Sequence, residues 1–247
     1  MYEIIKQIIK KTLPEKFVKK QTKHLRYLYG LTFRGNKYQC NICEVKLRKF
    51  IRLASNDLMC PNCGSLPRTR GLWNILKNEI NNKTILHFSP SPPLKSLIEH
   101  KANPESYITT DYEDEFESDM KLNIEKIDLQ SESIDIIICY HILEHVEHDF
   151  KALSELNRIL KQDGTCYVQT PFKEGSIYED PTIIDPAERL IHFGQKDHLR
   201  IYSPEGLKHR MNKSGFKTEI IEIENEENNY YGLKNTDIII KGEKVFS

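Results

Sequence analysis

Two Cys-x-x-Cys pairs near the N-terminus have the residue types and the spacing of a metal site. Cys40 and Cys43 form the first pair, and Cys60 and Cys63 form the second, with sixteen residues between the pairs. Each pair can present two thiolates from one tight turn, and two such turns close a tetrahedron around a metal ion. Four thiolates leave no open coordination position, so the spacing predicts a structural zinc ribbon. Disulfides are the alternative, but they are typical of secreted proteins, and the N-terminal residues lack a secretory signal pattern.

A second group of chemically capable residues follows a short apolar run, Ile134–Cys139. Its β-branched residues are typical of a strand buried on both faces of a parallel sheet. Tyr140 and His141 come directly after it, and in open α/β sheets ligands bind beyond the carboxyl ends of the strands. The segment His141–His145 also matches the His-x-x-Glu-His signature of inverted zinc peptidases. Because it follows a buried strand within a βαβ unit, and no third ligand stands out in the sequence, a peptidase is the weaker interpretation.

Strand and helix patterns alternate around this group. Leucines at helical spacing follow Asp149, which can cap a helix, and Asp163-Gly164 provides a turn-type stop. The predicted strands are Thr84–Phe88, Ser106–Thr110, Ile134–Cys139, Cys166–Thr170, Lys217–Ile223 and Asp237–Lys241. The other predicted helices are Leu72–Ile80, Pro93–His100 and Leu207–Ser214. This alternation predicts an α/β fold with a doubly wound, mostly parallel, Rossmann-like sheet, preceded by the small N-terminal zinc ribbon and a basic N-terminal helix.

Charge is distributed unevenly along the chain. Residues 1–70 contain 16 Lys and Arg against 4 Asp and Glu, and the formal net charge of the whole chain is zero, so the remainder is equally acidic. Within residues 1–37, isoleucines at positions 4, 5, 8 and 9 form one helical face opposite several lysines. Such a basic amphipathic segment could lie on an anionic membrane surface or dock on the body of the protein. The basic N-terminal region also favours nucleic acid or a phosphorylated substrate as partner, unless it is simply a solvated surface.

Length and composition limit the domain organisation. The 247 residues are 38% hydrophobic and 29% charged, as in a soluble globular protein, and no apolar run reaches the roughly 20 residues of a membrane span. We divide the chain into a basic segment (1–37), a zinc ribbon (38–70) and a catalytic α/β domain (71–247). We expect a cytoplasmic protein, with peripheral membrane association through its basic segment as an option, and the sequence does not indicate an oligomeric state.

The stretch Ile134–Thr170 resembles the central part of class I S-adenosylmethionine-dependent methyltransferases of the type 11-like kind. In that family a strand ends in a short His-x-x-Glu-His segment, and a Leu-rich helix runs into an Asp-Gly turn. The tail from His198 through Phe216 is similar to the family's last helix and sixth strand. With the cysteine ribbon, the resemblance covers about residues 38–223 and is to a bacterial subgroup in which such a ribbon is fused to a methyltransferase.

The resemblance implies S-adenosylmethionine as cofactor and suggests where it would bind. Asp111, at the end of the second strand, matches an acidic residue that accepts hydrogen bonds from the ribose hydroxyls. Asn123 falls where the family often has an Asp beside the adenine amine, and its amide carbonyl can also accept. Tyr140 lies where the methyl donor and the acceptor meet. The remaining cofactor-binding residues implied in this way are His87, Phe88, Ser89, Pro90, Tyr112 and Ile124.

The loop after the first strand departs from the family pattern. The family usually has a Gly-x-Gly loop there, whereas His87–Pro93 contains no glycine. Glycines matter most where the backbone must approach a pyrophosphate, and S-adenosylmethionine has none. The glycine-free loop therefore disfavours NAD or FAD more strongly than a methyl donor.

A long polar insert, Pro171–Ile201, follows the strand that ends at Thr170, so it can cover the site and contribute a base. His198 from the insert and His141 from the strand end are the candidate catalytic residues, either of which could remove a hydroxyl proton. We expect methyl transfer to an oxygen of a small-molecule or saccharide-type acceptor. The alternatives are an RNA methyltransferase that uses the basic ribbon, and a non-catalytic, methyltransferase-like adaptor, which the glycine-free loop would suit.

Overall fold

The computed structural model describes residues 26–101, 107–113, 116–225 and 228–245. Most of the basic segment predicted for residues 1–37, including its isoleucine face, lies outside these residues. The described residues form two compact units, one of residues 26–74 with 224–235 and one of residues 75–223 with 236–245. From the sequence we assign residues 224–235 to the α/β domain, whereas in the structure they belong to the first unit. None of the helices in the described ranges is both long enough and apolar enough to cross a membrane.

The described part of the first unit contains a short helix at residues 26–31, two small hairpins and the start of a longer helix. Its elements are β1 (Arg34–Gln39), β2 (Lys46–Leu47), β3 (Ile51–Arg52), β4 (Leu58–Met59) and α1 (Pro67–Leu76). Strand β1 pairs with β2 and β3 with β4, both antiparallel. Helix α1 begins earlier than the Leu72 start predicted from its apolar residues, because Pro67 supplies a first-turn residue that needs no amide partner.

Arg70 forms the polar centre of the first unit. Its guanidinium is fully buried and donates to the carbonyls of Ser65 at 2.6 Å and Tyr231 at 2.7 Å, and also to those of Leu58 and Gly232. A buried cation is tolerated only when protein acceptors replace its water shell. These carbonyls come from separate parts of the chain, so Arg70 ties the segment 224–235 to the hairpins.

The second unit is an α/β domain. Its strands are β5 (Ile85–Phe88), β6 (Tyr107–Thr110), β7 (Ile134–Tyr140), β8 (Leu160–Gln169), β9 (Tyr178–Glu179), β10 (Arg200–Ile201), β11 (Phe216–Glu224) and β12 (Thr236–Lys244). Its helices are α2 (Pro92–Lys101), α3 (Asp149–Ile159), α4 (Pro186–Phe193) and α5 (Pro204–Lys213). A six-stranded sheet has the order β11-β12-β8-β7-β5-β6. Strands β6, β5, β7 and β8 are parallel and β12 is antiparallel to β8, which confirms the predicted mostly parallel sheet.

The register of the parallel strands aligns their carboxyl ends. Phe88 of β5 lies opposite Thr110 of β6 and Cys139 of β7, and Tyr140 lies opposite Gln169 of β8. The residues that follow these strand ends therefore share one edge of the sheet. The strand order reverses at β5, which has β6 on one side and β7 on the other, and such a switch point opens a crevice for ligands.

The helix after β7 differs from its prediction at both ends. Asp149 was expected to cap α3, but His148 occupies the cap position without a side-chain hydrogen bond. The carboxylate of Asp149 is buried and instead accepts from the Tyr202 hydroxyl at 2.6 Å and from Arg210. The predicted Asp163-Gly164 stop is also wrong, because the helix ends at Ile159 and the backbone at Leu160 is already extended.

Strand β8 accordingly begins six residues before the predicted Cys166. Its register against β7 jumps from Ile134–Leu160 to Ile136–Thr165, so that the intervening residues form an irregularity in the ladder. Leu156 of α3 and Leu207 of α5 lie with β7 and β8 in one buried hydrophobic cluster. Burial of each such side chain contributes about 1.5–3 kcal/mol, which fixes these helices beside the strands that carry the candidate site.

Candidate active site and four-cysteine cluster

Both walls of the crevice have a residue in a conformation that favours glycine. Ser89 follows β5 with φ +45°, and His141 follows β7 with φ +56°. The Ser89 amide donates to the carbonyl of Thr110 at 2.7 Å, and the His141 amide donates to that of Gln169 at 2.8 Å. The loop without glycine therefore still takes a left-handed turn, which is held by a hydrogen bond to the neighbouring strand. Left-handed non-glycine residues are costly and cluster at functional sites.

Asp111 lies at the edge between β5 and β6, as the sequence predicted. Its side chain is only 3% exposed, and its amide donates to the carbonyl of Met120 at 3.3 Å. The loop that returns from Asp111 is held by Asp119, whose carboxylate accepts from the amide and hydroxyl of Thr109. Although burial opposes it, hydrogen bonding from Thr109 lowers the pKa of Asp119. Tyr112, also predicted to bind cofactor, is 57% exposed.

Two of the predicted cofactor residues are part of the sheet itself. His87 lies within β5, and its Nδ1 is 2.9 Å from the Tyr107 hydroxyl. Burial lowers the pKa of His87 to about 3, so its ring is neutral at physiological pH. Phe88 belongs to the hydrophobic cluster that contains α3 and α5, on the opposite face from His87. Pro90 is buried in the loop that leads to α2.

Asn123 and Ile124 lie in the segment between β6 and β7. Asn123 is exposed, and its side-chain oxygen accepts from the Glu125 amide at 2.8 Å, which is an Asx turn. Its carbonyl thus retains one further lone pair for an adenine amine, as the prediction requires. Ile124 is buried in the main hydrophobic cluster.

The end of β7 brings the two candidate catalytic histidines to the same region. His141 follows the strand directly, and its Nδ1 lies 3.2 Å from a carboxylate oxygen of Glu144. Because a carboxylate only accepts, the Nδ1–H donates and Nε2 carries the free lone pair. That Nε2 is buried and has no hydrogen-bond partner among the described residues. The segment Leu143–His145 is a single 3₁₀ turn, so His141 and His145 do not share the α-helical face that a zinc peptidase motif would need.

The insert places His198 against this turn. The ring of His198 packs edge-on against that of His145, with centroids 4.7 Å apart, and its Nδ1 is 3.1 Å from the Phe193 carbonyl. Burial, together with the neighbouring His145, lowers the pKa of His198. His145 in turn has its Nδ1 3.0 Å from a carboxylate oxygen of Asp197. The sequence analysis singled out His198 but did not group it with Glu144 and His145, because their proximity depends on the path of the insert.

Arg200 holds the insert to the turn after β7. Its guanidinium donates to the carbonyls of Leu143 at 3.2 Å and Glu147 at 3.0 Å, and to that of Val146. Its Nε donates to the Glu179 carboxylate at 2.9 Å, across the β9–β10 hairpin. No sequence pattern distinguished this arginine from the others in the chain.

The predicted loop Pro171–Ile201 contains more structure than its polarity suggested. The hairpin and helix α4 lie within it, and α4 is capped by Asp185, which accepts from the amides of Ala187 and Glu188. Gly194 ends the helix with φ +86°. The insert is therefore an ordered element that can position His198.

Buried polar atoms without partners concentrate near the carboxyl edge of β7 and β8. Within the described ranges they include atoms of Tyr140, His141, Glu144, Thr170 and His198. Burial raises the pKa of the Tyr140 hydroxyl, so it stays protonated. An orphaned buried polar atom costs about 1–3 kcal/mol, and a group of them at one edge indicates a place that a ligand completes. With Asp111 at the same edge, the residues fit a cofactor that carries hydroxyls and an amine.

The four cysteines meet in the first unit. Cys40 Sγ lies 3.7 Å from Cys63 Sγ, and Cys43 Sγ lies 3.8 Å from Cys60 Sγ. A tetrahedron with Zn–S bonds of about 2.3 Å has an edge of about 3.8 Å, so these separations fit a four-coordinate zinc ion. They are far longer than a disulfide bond of about 2.05 Å, and all four cysteines are free. The cluster could therefore hold zinc.

Comparison with known proteins agrees with the fold. Residues 71–168 match the family described as "Methyltransferase domain". The chain carries a methyltransferase domain. This match agrees with the resemblance to class I S-adenosylmethionine-dependent methyltransferases that the sequence indicated. No curated protein matches the chain in sequence.

Solved structures with the same fold come from distant organisms. The YcgJ protein of Bacillus subtilis has a TM-score of 0.50 at 15% identity, over 72% of this chain and 99% of that chain. An S-adenosylmethionine-dependent methyltransferase from Archaeoglobus fulgidus has a TM-score of 0.50 at 16% identity, over 72% and 91%. The 1,6-didemethyltoxoflavin-N1-methyltransferase of Burkholderia thailandensis, solved with S-adenosylhomocysteine, has a TM-score of 0.50 at 11% identity, over 72% and 78%. At these identities the similarity concerns the fold.

Replacing Arg200 by Met should destabilise the methyltransferase domain. The variant leaves the carbonyls of Leu143, Val146 and Glu147 without their donor, and we expect a loss of about 3 kcal/mol in the free energy of unfolding, measured by urea denaturation. Lys196→Met, at an exposed lysine of the same insert, should change the free energy of unfolding by less than about 0.5 kcal/mol. Equal stability of the two variants would show that Arg200 does not anchor the insert.

Proposed function

We propose that this methyltransferase transfers a methyl group to an oxygen of a small-molecule or saccharide-type acceptor. The observation that carries the proposal is the arrangement at His141, whose Nδ1 is bound to Glu144 and whose Nε2 is buried without a partner. A base whose second nitrogen is oriented by a carboxylate is suited to accept a proton from a hydroxyl. Methylation of a neutral hydroxyl needs such a base, because the oxygen must lose its proton.

The cofactor site is proposed for the crevice between β5 and β7. Asp111 is the residue to accept from the ribose hydroxyls, and Asn123 the residue beside the adenine. Ser89, Tyr112 and Tyr140 lie at or just after the ends of β5, β6 and β7, and the other proposed cofactor residues, His87, Phe88, Pro90 and Ile124, are buried. S-adenosylmethionine, when bound, supplies an electrophilic methyl group on a sulfonium. The chain's own contribution is to align the acceptor oxygen and to accept its proton at His141.

Asp111 and His141 should affect different steps. Asp111→Asn removes a charged acceptor, so we expect roughly 10- to 100-fold weaker cofactor binding by calorimetry. His141→Gln should leave that affinity unchanged and lower kcat by about 10²- to 10⁴-fold, because it removes the base and not the pocket.

The matched controls for this pair are exposed residues of the same types. Asp163→Asn and His209→Gln should retain wild-type affinity and turnover, since both side chains are exposed. A wild-type dissociation constant for Asp111→Asn would refute the assignment of the cofactor pocket. Wild-type turnover for His141→Gln would refute the base.

A second candidate acceptor is RNA, and the surface of the first unit supports it. The first unit has exposed basic side chains in the hairpins that contain or flank the cysteines, at Arg34, Lys37, Lys46, Arg48, Lys49 and Arg52. Such a patch favours a polyanion. Against it, the rings beneath these cations in the described part of the chain are those of Tyr38 and Phe33, which is a small aromatic surface for base stacking.

Labelled S-adenosylmethionine distinguishes the two acceptors. We expect the full-length protein to transfer label to a saccharide or other polyhydroxyl fraction, and the label to be stable to ribonuclease. Label recovered only in RNA would replace the saccharide proposal by the RNA candidate. A triple variant Lys46→Gln, Arg48→Gln, Lys49→Gln should leave transfer to a saccharide unchanged, because these residues lie in the first unit.

For the first unit we propose a structural zinc ion held by Cys40, Cys43, Cys60 and Cys63. The sulfur separations support a closed tetrahedral site, and each thiol must lose its proton to bind. Replacing Cys60 by Ser should abolish tight zinc binding at this cluster, which atomic emission measures. It should also destabilise the hairpins, which increases proteolysis between residues 34 and 66. Cys166→Ser, at a buried cysteine of β8, should leave the zinc content of this cluster unchanged. Equal zinc content in the two variants would contradict the site.

A further inference from the structure

A second group of possible metal ligands lies in the methyltransferase domain, at the carboxyl edge of β7. Glu144, His145 and His198 each offer one ligand atom, and these three atoms lie within 4.8 Å of one another. The first two come from the 3₁₀ turn after β7, and the third comes from the insert before β10. The backbone supports this meeting, because the Leu199 amide donates to the Glu144 carbonyl at 2.8 Å.

Two of the three groups are buried and incompletely bonded. Glu144 is 1% exposed and its Oε2 has no hydrogen-bond partner, while His198 is 3% exposed and its Nε2 has none. Each of these atoms is a buried acceptor within the same group of three residues, and a buried acceptor without a partner is unfavourable unless a cation or a donor completes it. Both atoms are acceptors, so neither can satisfy the other.

The remaining ring nitrogens of both histidines are already engaged. The Nδ1 of His198 is bonded to the Phe193 carbonyl, and the Nδ1 of His145 faces the Asp197 carboxylate. A carbonyl and a carboxylate only accept, so each histidine donates from Nδ1 and keeps its lone pair on Nε2. Metal-ligating histidines are oriented in this way, by an outer carboxylate or carbonyl on the other nitrogen.

We propose that Glu144, His145 and His198 bind one divalent transition-metal ion, separate from the ion of the four cysteines. Two imidazole nitrogens and one carboxylate suit Mn²⁺, Fe²⁺, Co²⁺ or Zn²⁺ better than Mg²⁺, which prefers a set of oxygens. Three protein ligands leave coordination positions open, unlike the four thiolates of the first unit. The His-x-x-Glu-His segment alone could not predict this site. Only Glu144 and His145 of that segment belong to it, and the third ligand is His198.

The open positions indicate the class of acceptor, an inference that rests on the proposed function. His141, the proposed base, is hydrogen-bonded to Glu144, so an ion on Glu144 lies in the same part of the site. Oxygen atoms fill the open positions of such ions readily. We therefore assign as acceptor a molecule with two adjacent oxygen donors, such as a vicinal diol or a hydroxy-carboxylate. The ion would bind and orient this pair. One of the two oxygens gives its proton to His141 and forms a bond to the methyl carbon, while the bond from that carbon to the sulfonium sulfur breaks and S-adenosylhomocysteine leaves.

Manganese binding tests the site without relying on activity. The probe is Mn²⁺ alone, titrated into the full-length protein and followed by calorimetry and electron paramagnetic resonance, because this ion favours nitrogen and oxygen over four thiolates. We expect one site per chain in the wild type. In Glu144→Gln and in His198→Gln the affinity should fall at least 10-fold. His192→Gln, a histidine of the same insert whose ring bonds to Tyr178, should bind as the wild type does.

The outcomes separate the site from the proposed function. The site is overturned if the wild type shows no saturable binding of Mn²⁺, Co²⁺ or Zn²⁺ beyond the ion of the cysteines. It is also overturned if both variants are folded and bind the ion as tightly as the wild type does. Thermal melting verifies the folding of each variant, and the wild-type titration decides the question if either is unfolded.

Activity then tests the role of the ion and the class of acceptor. Transfer to a vicinal diol should be lost with chelator and restored by Mn²⁺, and the matching monodeoxy acceptor should react at least 10-fold more slowly. Transfer unaffected by chelator overturns the role of the ion while the proposed function stands. Metal binding without transfer to any oxygen acceptor leaves the site and refutes the proposed function.

Discussion

The site of this protein depends on a buried arginine that joins two parts of the chain. Arg200 donates to three carbonyls of the turn after β7 and to Glu179 of the adjacent hairpin. The guanidinium satisfies these carbonyls of the turn while it fixes the insert in place. Since His198 lies two residues before Arg200, its ring is brought beside Glu144 and His145 by the same contact. The chemistry at the edge of β7 thus follows from how the insert is anchored.

At the crevice beside this cluster, two residues other than glycine adopt the backbone conformation that a glycine-rich loop usually supplies. Ser89 and His141 adopt left-handed conformations at the ends of β5 and β7, each costing about 1–3 kcal/mol. Both are held by amide hydrogen bonds to the next strand. Glycine would reach this conformation without strain, but a nonglycine residue keeps a side chain there, and at His141 that side chain is the proposed base.

The two candidate metal sites differ in a way that their ligands explain. Four thiolates close the coordination sphere and suit a structural ion, whereas two imidazoles and a carboxylate leave positions free. Their surroundings differ as well. The cysteines lie among hairpins organised by the buried Arg70, while the histidines lie at the strand ends where the fold binds ligands. A structural role in one unit and a role toward substrate in the other are consistent with these chemistries.

The sequence by itself determined the features that depend on local patterns. The cysteine spacing predicted the cluster that the structure contains, and the apolar runs predicted the parallel strands. Each Cys-x-x-Cys pair and each apolar run is a signal carried by residues that are close together in the sequence. The prediction that Asp111 and His141 follow strand ends also held, since a strand end is local. Local patterns failed at Asp149, whose carboxylate accepts hydrogen bonds from Tyr202, just before α5, and from Arg210 within α5. They also failed at Gly164, which a shift in strand register places inside β8.

Only the tertiary structure decided what lies beside the strand ends. Glu144 and His198 are 54 positions apart, and nothing in their local sequence requires them to meet. Their meeting depends on a register of parallel strands, on the ordered insert and on the contacts of one arginine, all of which form between residues far apart in the chain. The sequence therefore determined which groups could act, and long-range packing decided which of them act together.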